Sequence, residues 1–550
     1  MGRPRGKPKK TSGENSRPES ENDYLEQADA FESSGSKWKA GDAEKALRFY
    51  QKAVTAYIEG LSRYPKSFDL AYNKALLLYH ITQEKRIAPL IGSVLEVLKE
   101  ALDAHRFALS IDGENPDVLF NTAQVLTSFA EELGENGDAD GGGSKGRAVA
   151  LLQEAVEMFA ACLARQEVEY SQIQEMQNAA DESPSWNGKE QAPSSTKNNE
   201  SKEGEQWAVV LESITPDTLI ETALAQLGSL SSLATVAAPT SSTLLANLSE
   251  IATPIVTQKL PSYIALLPTS IPKDALGNTS TPFLAVSTSS STFHPDTPAH
   301  ATNPQSEAKT EADLAVAIFK CALSSAEHKS NLTSTETHTS RINEAFSALL
   351  ETANNNETPI HSSIQIHSAN ADILVDLADT LAEKEASHSD PDPATAQTRW
   401  TCLTQAQDLL TKVTTLLSAL GTTTPDLPSR AQIYLQRGDI ELLRSNLAHL
   451  PSATSSISAS LPTLLKNAGV YYRGAAGLAG KDGDGEVSDE AGVKAGIVKV
   501  VEGLWGGGVM LGDMRENFQG IEGEVVREIV DGMVGEGLVD EGVRKVVFGQ

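Results

Sequence analysis

The sequence predicts an all-α fold in which helices pair into hairpins and stack in series, interrupted by long disordered tracts. Three observations carry this. Aromatic residues make up 5% of the 550 residues while hydrophobic ones reach 40%, and plentiful Ala, Leu, Ser and Thr suit close-packed helices better than strands of bulky side chains. Apolar residues recur at helical spacing, as in Ala43, Ala46, Leu47, Tyr50, Ala53, Val54, Tyr57 and Leu61, which share one face. A block of sequence also returns after 48 residues: Asp69-Leu70-Ala71-Tyr72-Asn73-Lys74-Ala75 aligns with Asp117-Val118-Leu119-Phe120-Asn121-Thr122-Ala123. Such a period marks a chain of stacked units.

Each element follows in order. Residues 1–22 are polar and Gly/Pro-punctuated, a disordered basic arm. Residues 23–170 form the first helical block, with Asp42 placed to cap a helix start and Pro65 to follow its end. Residues 171–205 lose periodicity and read as a linker, and 206–236 as a helical segment opened by Thr215-Pro216-Asp217. The Ser/Thr/Pro tract 237–307 reads as disordered. Residues 308–480 are a second helical block with periodic stretches at 312–326, 342–352, 371–383, 395–420 and 430–450. In the last of these, Gly438-Asp439 reads as a turn between two helices. Residues 481–550 are Gly-rich and acidic, with a final helix around Val525 to Met533. The six glycines from Gly520 to Gly542 oppose it, each costing about 1 kcal/mol relative to Ala.

A second register recurs as well: Ala46, Tyr50 and Ala53; Ala101, His105 and Ala108; Ala148, Leu152 and Ala155, always four then three apart. Small residues there let helices approach closely while the larger one fills the gap. With small Ala75 or Ala123 inside the preceding helix and Gly41-Asp42 at a tight turn, residues 24–165 resemble the tetratricopeptide repeat family, as a divergent member. The repeats exceed the family's usual 34 residues, and Glu131 to Gly146 inserts an acidic Gly-rich loop. The resemblance implies an α-solenoid whose concave side holds an extended partner segment. Asn73 and Asn121 would stand where the family often contacts a peptide backbone; the other reading is that they satisfy neighbouring helix groups. The family's carboxylate clamp for heat-shock chaperone tails needs cations, yet its positions fall on Phe31, Gly35, Asn73, Asp117 and Asn121, which disfavours that ligand.

Charge and chemistry narrow the function. The net charge is −29, so adhesion of the whole body to nucleic acid or an anionic membrane is disfavoured. Six basic residues against one acid before residue 19 give the arm +5 and leave −34 for the rest. Arg3, Arg5, Lys7, Lys9 and Lys10 around Gly-Arg-Pro resemble an AT-hook, and equally suit an import signal or a solubilising arm. A basic segment of another protein best matches the acidic body, with nucleic acid a minor alternative through the arm. The glycines from Gly141 to Gly146 match nucleotide and nucleophile motifs only literally, since no buried strand precedes them, and they read as a loop. His361, His367, His294 and His300 show no metal-ligand spacing and read as solvated; Cys162, Cys321 and Cys402 are too scattered for a disulfide framework or thiolate cluster. Cys162 lies on an apolar stripe and reads as a buried, inert thiol. With no run of eighteen apolar residues and a charged start, neither a membrane span nor a secretory signal is expected, and Asn199, Asn247, Asn278, Asn331 and Asn356 carry no weight as glycosylation sites. The expectation is a non-enzymatic, nuclear and/or cytoplasmic adaptor without catalytic residues, metal or cofactor.

Overall fold

The computed structural model describes residues 18–136, 143–181, 214–237, 242–269, 303–355, 358–386, 393–421, 427–450, 453–505, 518 and 521–548. Among these residues every regular element is helical. Two compact units result: Met1–Ala237 with Thr257–Leu266, and Ala238–Val256 with Leu267–Gln550. The arm residues Arg3, Arg5, Lys7, Lys9 and Lys10 lie outside the described residues.

The first unit contains α1 (Glu21–Trp38), α2 (Ala43–Arg63), α3 (Phe68–Gln83), α4 (Val94–Ile111), α5 (Pro116–Asn136), α6 (Gly143–Asp181) and α7 (Pro216–Ala237). Side-chain caps set several of the starts: Ser20, Asp42, Ser67 and Ser93 each accept from a backbone N–H in the first turn, as with Asp42 from Lys45 at 2.9 Å. Each helix packs on its successor, and α3 also touches α1 and α5. Ala46, Ala53, Ala75, Ala101, Ala108, Ala123, Ala148 and Ala155 are all fully buried, and Tyr50 with them. Apolar clusters that hold all of these alanines but Ala148 form a seam between the helices. Tyr50 fills it against Gly35, where a Cβ would lie 2.5 Å from the ring. The α7 helix is long and apolar enough to cross a membrane by length and composition, unlike the expectation from apolar runs. Here Leu219, Ala223, Leu227, Leu230 and Ala234 are buried and the helix packs on α5 and α6. Helix α6 runs on to Asp181, into the expected linker, and Gly143 to Gly146 form its first turn instead of a loop.

Of the tract 237–307 expected to be disordered, residues 238–241 and 270–302 lie outside the described residues, and the described part is a correction. It contains α8 (Ser242–Pro254), a π-helical turn (Ile255–Lys259) and α9 (Leu260–Leu266), because Leu245, Leu248, Ala252, Ile255, Leu260 and Tyr263 find apolar surface to bury. Local composition could not show that burial. Helix α8 counts with the second unit and α9 with the first.

The second unit continues with α10 (Pro304–Lys329), α11 (Thr335–Ala353), α12 (Ile360–Ala386), α13 (Pro393–Leu420), α14 (Arg430–His449), α15 (Ser455–Ser458), α16 (Leu461–Asp482), α17 (Gly485–Trp505), α18 (Gly523–Gly535) and α19 (Glu541–Phe548). One apolar core extends from Ala317 through Leu377, Ala406 and Tyr472 to Val530 and Val543. The Gly-rich segment thus joins the second block rather than standing apart.

Gly438-Asp439 is not a turn; α14 passes through it unbroken. The glycine serves packing. A Cβ on Gly438 would sit 2.4 Å from the buried ring of Tyr472 on α16, and one on Gly474 of α16 would sit 2.7 Å from Tyr434 on α14. Each helix supplies a glycine seat for the other's tyrosine. Gly537, at φ 67°, ends α18 in a left-handed cap whose flanking N–H groups reach Val534 and Met533. Nothing in the structure explains Gly523, Gly532 and Gly535, beside which a side chain would meet open space.

Candidate protein-binding surface

In the first unit the odd-numbered helices form a row, α1 beside α3, α3 beside α5 and α5 beside α7. They meet through polar groups. Lys39 pairs with Glu84 at 2.5 Å, Asn121 Nδ2 donates to the Tyr72 hydroxyl at 2.7 Å, and Tyr79 and Ser128 share a hydrogen bond of 3.0 Å. Thr127 meets Ser229 at 2.8 Å, and Ser232 donates to Glu131 at 2.6 Å. The apolar seam between each odd helix and its even partner holds the hairpins. The row therefore carries hydroxyls, amides and carboxylates that pair with one another from helix to helix.

Asn73 and Asn121 occupy matching places on α3 and α5. Both are half-buried. Asn121 Nδ2 is engaged by Tyr72 and by the Asp117 carbonyl at 2.8 Å, so its amide satisfies neighbouring helix groups. The Asn73 side chain makes no hydrogen bond among the described residues. Beneath them His105 is fully buried, its ring edge-on to Tyr72, and its Nδ1 lies 2.9 Å from the Ala101 carbonyl. Burial pulls its pKa down to about 4, so the imidazole is neutral at pH 7. At the first two clamp positions Gly35 is buried under Tyr50 and Phe31 is half-buried.

Two features escaped the sequence reading. On the outer face of α2, Lys45, Arg48, Phe49, Gln51, Lys52 and Thr55 line a shallow depression of about 480 Å³. Lys45 Nζ lies over the exposed Trp38 ring, and Lys52 Nζ is 5.1 Å from the Phe49 ring centroid. The spacing of Lys45, Arg48 and Lys52 at one helix face was readable as a signal. In the second unit, Lys494 is buried among Asp439 at 3.0 Å, Glu490 at 2.9 Å and Glu536 at 3.9 Å. Those residues come from three helices or their ends, α14, α17 and the close of α18, and gave no local pattern.

The remaining reactive groups are inward. Cys162, Cys321 and Cys402 are buried, and burial pushes their thiols up to about 12, 12 and 11. The expectation that the histidines are solvated fails for His367, which is buried with its pKa lowered by burial to about 4. Its neighbours Ile364 and Ile366 belong to the core, and a helical face carries it inward. His361 is half-buried, and His294 and His300 lie outside the described residues. Among the described residues no set of three or more His, Cys, Asp or Glu side chains is arranged to hold a metal ion.

No family model matches the sequence. A curated relative, UPF0656 protein C926.02 of Schizosaccharomyces pombe, is 37% identical over 101 residues, covering 18% of this chain and 22% of the relative. The match spans less than a quarter of that protein's length. Among solved structures, a circular tandem repeat protein with novel repeat topology aligns at 13% identity and TM-score 0.29, covering 96% of this chain and 98% of that one. The S. pombe nuclear import adaptor Nro1 aligns at 12% identity and TM-score 0.31, covering 74% and 97%. At these TM-scores neither likeness bears on function.

Proposed function

We propose that this protein is a non-enzymatic adaptor of the nucleus and/or cytoplasm that holds a stretch of another polypeptide along the odd-helix row of its first unit. The observation that carries the reading is the division of labour there. Apolar alanine seams fasten the hairpins, while the row itself bears a ladder of polar groups with the Asn73 side chain left without a hydrogen bond among the described residues. A basic segment is the favoured partner, since a body of −34 attracts it during encounter and side-chain pockets then select it. Recovery of partners from cell extract by the intact chain and by the N73A/N121A variant, read by mass spectrometry, tests this. Loss of a basic partner supports the reading, and an unchanged partner set overturns the groove assignment. Deleting residues 2–10 separates the arm's role: loss of nuclear import alone marks an address, whereas loss of salt-dependent DNA affinity marks a nucleic-acid contact.

A further inference from the structure

The outer face of α2 is basic in a chain that is acidic. Between Ala43 and Ile58 the only acid is Glu44, against Lys45, Arg48 and Lys52, whereas the whole chain carries −29. Positions 45, 48 and 52 are three and four apart, so the three cations share one side of the helix and span about 10 Å of it. Arg48 and Lys52 are exposed and Lys45 is half-buried. Among the described residues no carboxylate lies within 4 Å of their side-chain nitrogens. Nearby in the same unit, by contrast, Lys39, Lys74 and Arg106 pair with Glu84, Glu100 and Glu154.

Aromatic rings hold two of these cations in place. Lys45 Nζ is 3.1 Å from the centroid of the Trp38 ring, and Lys52 Nζ is 5.1 Å from that of Phe49 and 5.9 Å from that of Phe31. Such contacts draw a cation to a ring face without neutralising it. Trp38 is 42% exposed, a large apolar surface left to solvent beside Lys45. The three cations and Phe49, with Gln51 and Thr55, line the depression described above. A ligand for this face therefore needs carboxylates for the cations and an apolar side chain for the rings.

We propose that the outer face of α2 docks a short acidic segment of a partner protein, its carboxylates on Lys45, Arg48 and Lys52 and an apolar side chain against Trp38 and Phe49. Charge complementarity selects this occupant. At physiological salt a charge is felt over only about 8 Å, so a short segment meets the three cations and little else. A long polyanion such as a nucleic-acid strand runs past them onto a body whose net charge repels it. The face belongs to an even-numbered helix, prefers the opposite charge to the segment proposed for the odd-helix row, and stands independently of it.

The test uses the full chain and a dye-labelled dodecapeptide of repeated Glu-Glu-Leu, read by fluorescence anisotropy at physiological ionic strength. Saturable binding of this peptide, with none of the Gln-Gln-Leu repeat, supports the proposal. K45Q/R48Q/K52Q should weaken binding about tenfold, and W38A, which keeps every charge, about threefold. K66Q/K85Q/K99Q removes three exposed cations elsewhere on the first unit and should leave the affinity unchanged. No saturable binding of the Glu-Glu-Leu repeat, undiminished binding in K45Q/R48Q/K52Q, or equal weakening by the two triple variants overturns the proposal. A dodecathymidine strand that binds more tightly than the peptide and is lost in K45Q/R48Q/K52Q also overturns it, making the face a nucleic-acid contact. So does self-association of the parent chain, seen by sedimentation velocity and abolished in that variant, which makes a second copy the occupant. Unfolding midpoints verify the fold of each variant, and should a triple variant fail to fold, R48Q and K52Q singly give the same comparison.

Discussion

Replacing Gly438 by alanine should destabilise the second unit although it improves the helix. In the interior of α14 the added methyl favours helicity by about 1 kcal/mol. At this position, however, it would stand 2.4, 2.6 and 2.9 Å from Cε1, Cδ1 and Cζ of Tyr472. Tyr472 is fully buried, so its ring can move only by displacing neighbours, and overpacking of this kind costs roughly 1–3 kcal/mol. Moving the ring also strains the 2.8 Å hydrogen bond from its hydroxyl to Asp439, of a class worth about 1.5–3 kcal/mol. The net expectation is a loss of roughly 1.5–5 kcal/mol, the sum of the overpacking and hydrogen-bond terms less the helicity gain. Gly477 on α16 faces open space, and G477A should stabilise by up to about 1 kcal/mol. Urea unfolding of the full chain, with hydrogen exchange locating the effect to α14 and α16, reads both. Y472A should cost less in the G438A background than in the parent, because the clash is already relieved. A G438A chain as stable as the parent would refute the close-seat reasoning.

Three further outcomes follow from burial and charge. K494M leaves Asp439, Glu490 and Glu536 without their shared cation and should cost about 3–5 kcal/mol, measured as a shifted unfolding midpoint; a shift under about 1 kcal/mol would contradict the network. Glu32 accepts from Tyr57 at 2.5 Å and is raised by burial to about 7 from 4.5, so the folded state binds its proton more tightly than the unfolded one. That contribution to stability is whole below about pH 4.5 and disappears as pH rises through 7, at up to about 1.4 kcal/mol per unit, and E32Q should flatten the parent's decline across this window. Cys162, Cys321 and Cys402 should resist a thiol reagent at pH 8 in the native chain and all react in urea, and rapid native labelling would contradict their burial.

Local pattern determined much of this protein. The four-then-three spacing of Ala46, Tyr50 and Ala53 and its two echoes sets those residues on one helix face, which is buried, and a buried face requires small residues wherever another backbone comes close. Asp42 announced a helix start through its side chain alone. Asn73 and Asn121 were legible as matching positions, but only packing placed the Tyr72 hydroxyl against Asn121. Tertiary structure likewise decided what Gly438-Asp439 would be: the same two residues suit a turn, and α16 made them a seat and a hydrogen-bond partner for Tyr472. The helices of the Ser/Thr/Pro tract were equally hidden. A residue's spacing states which face it shares, whereas its partners come from helices dozens of residues away, and no single segment contains that information.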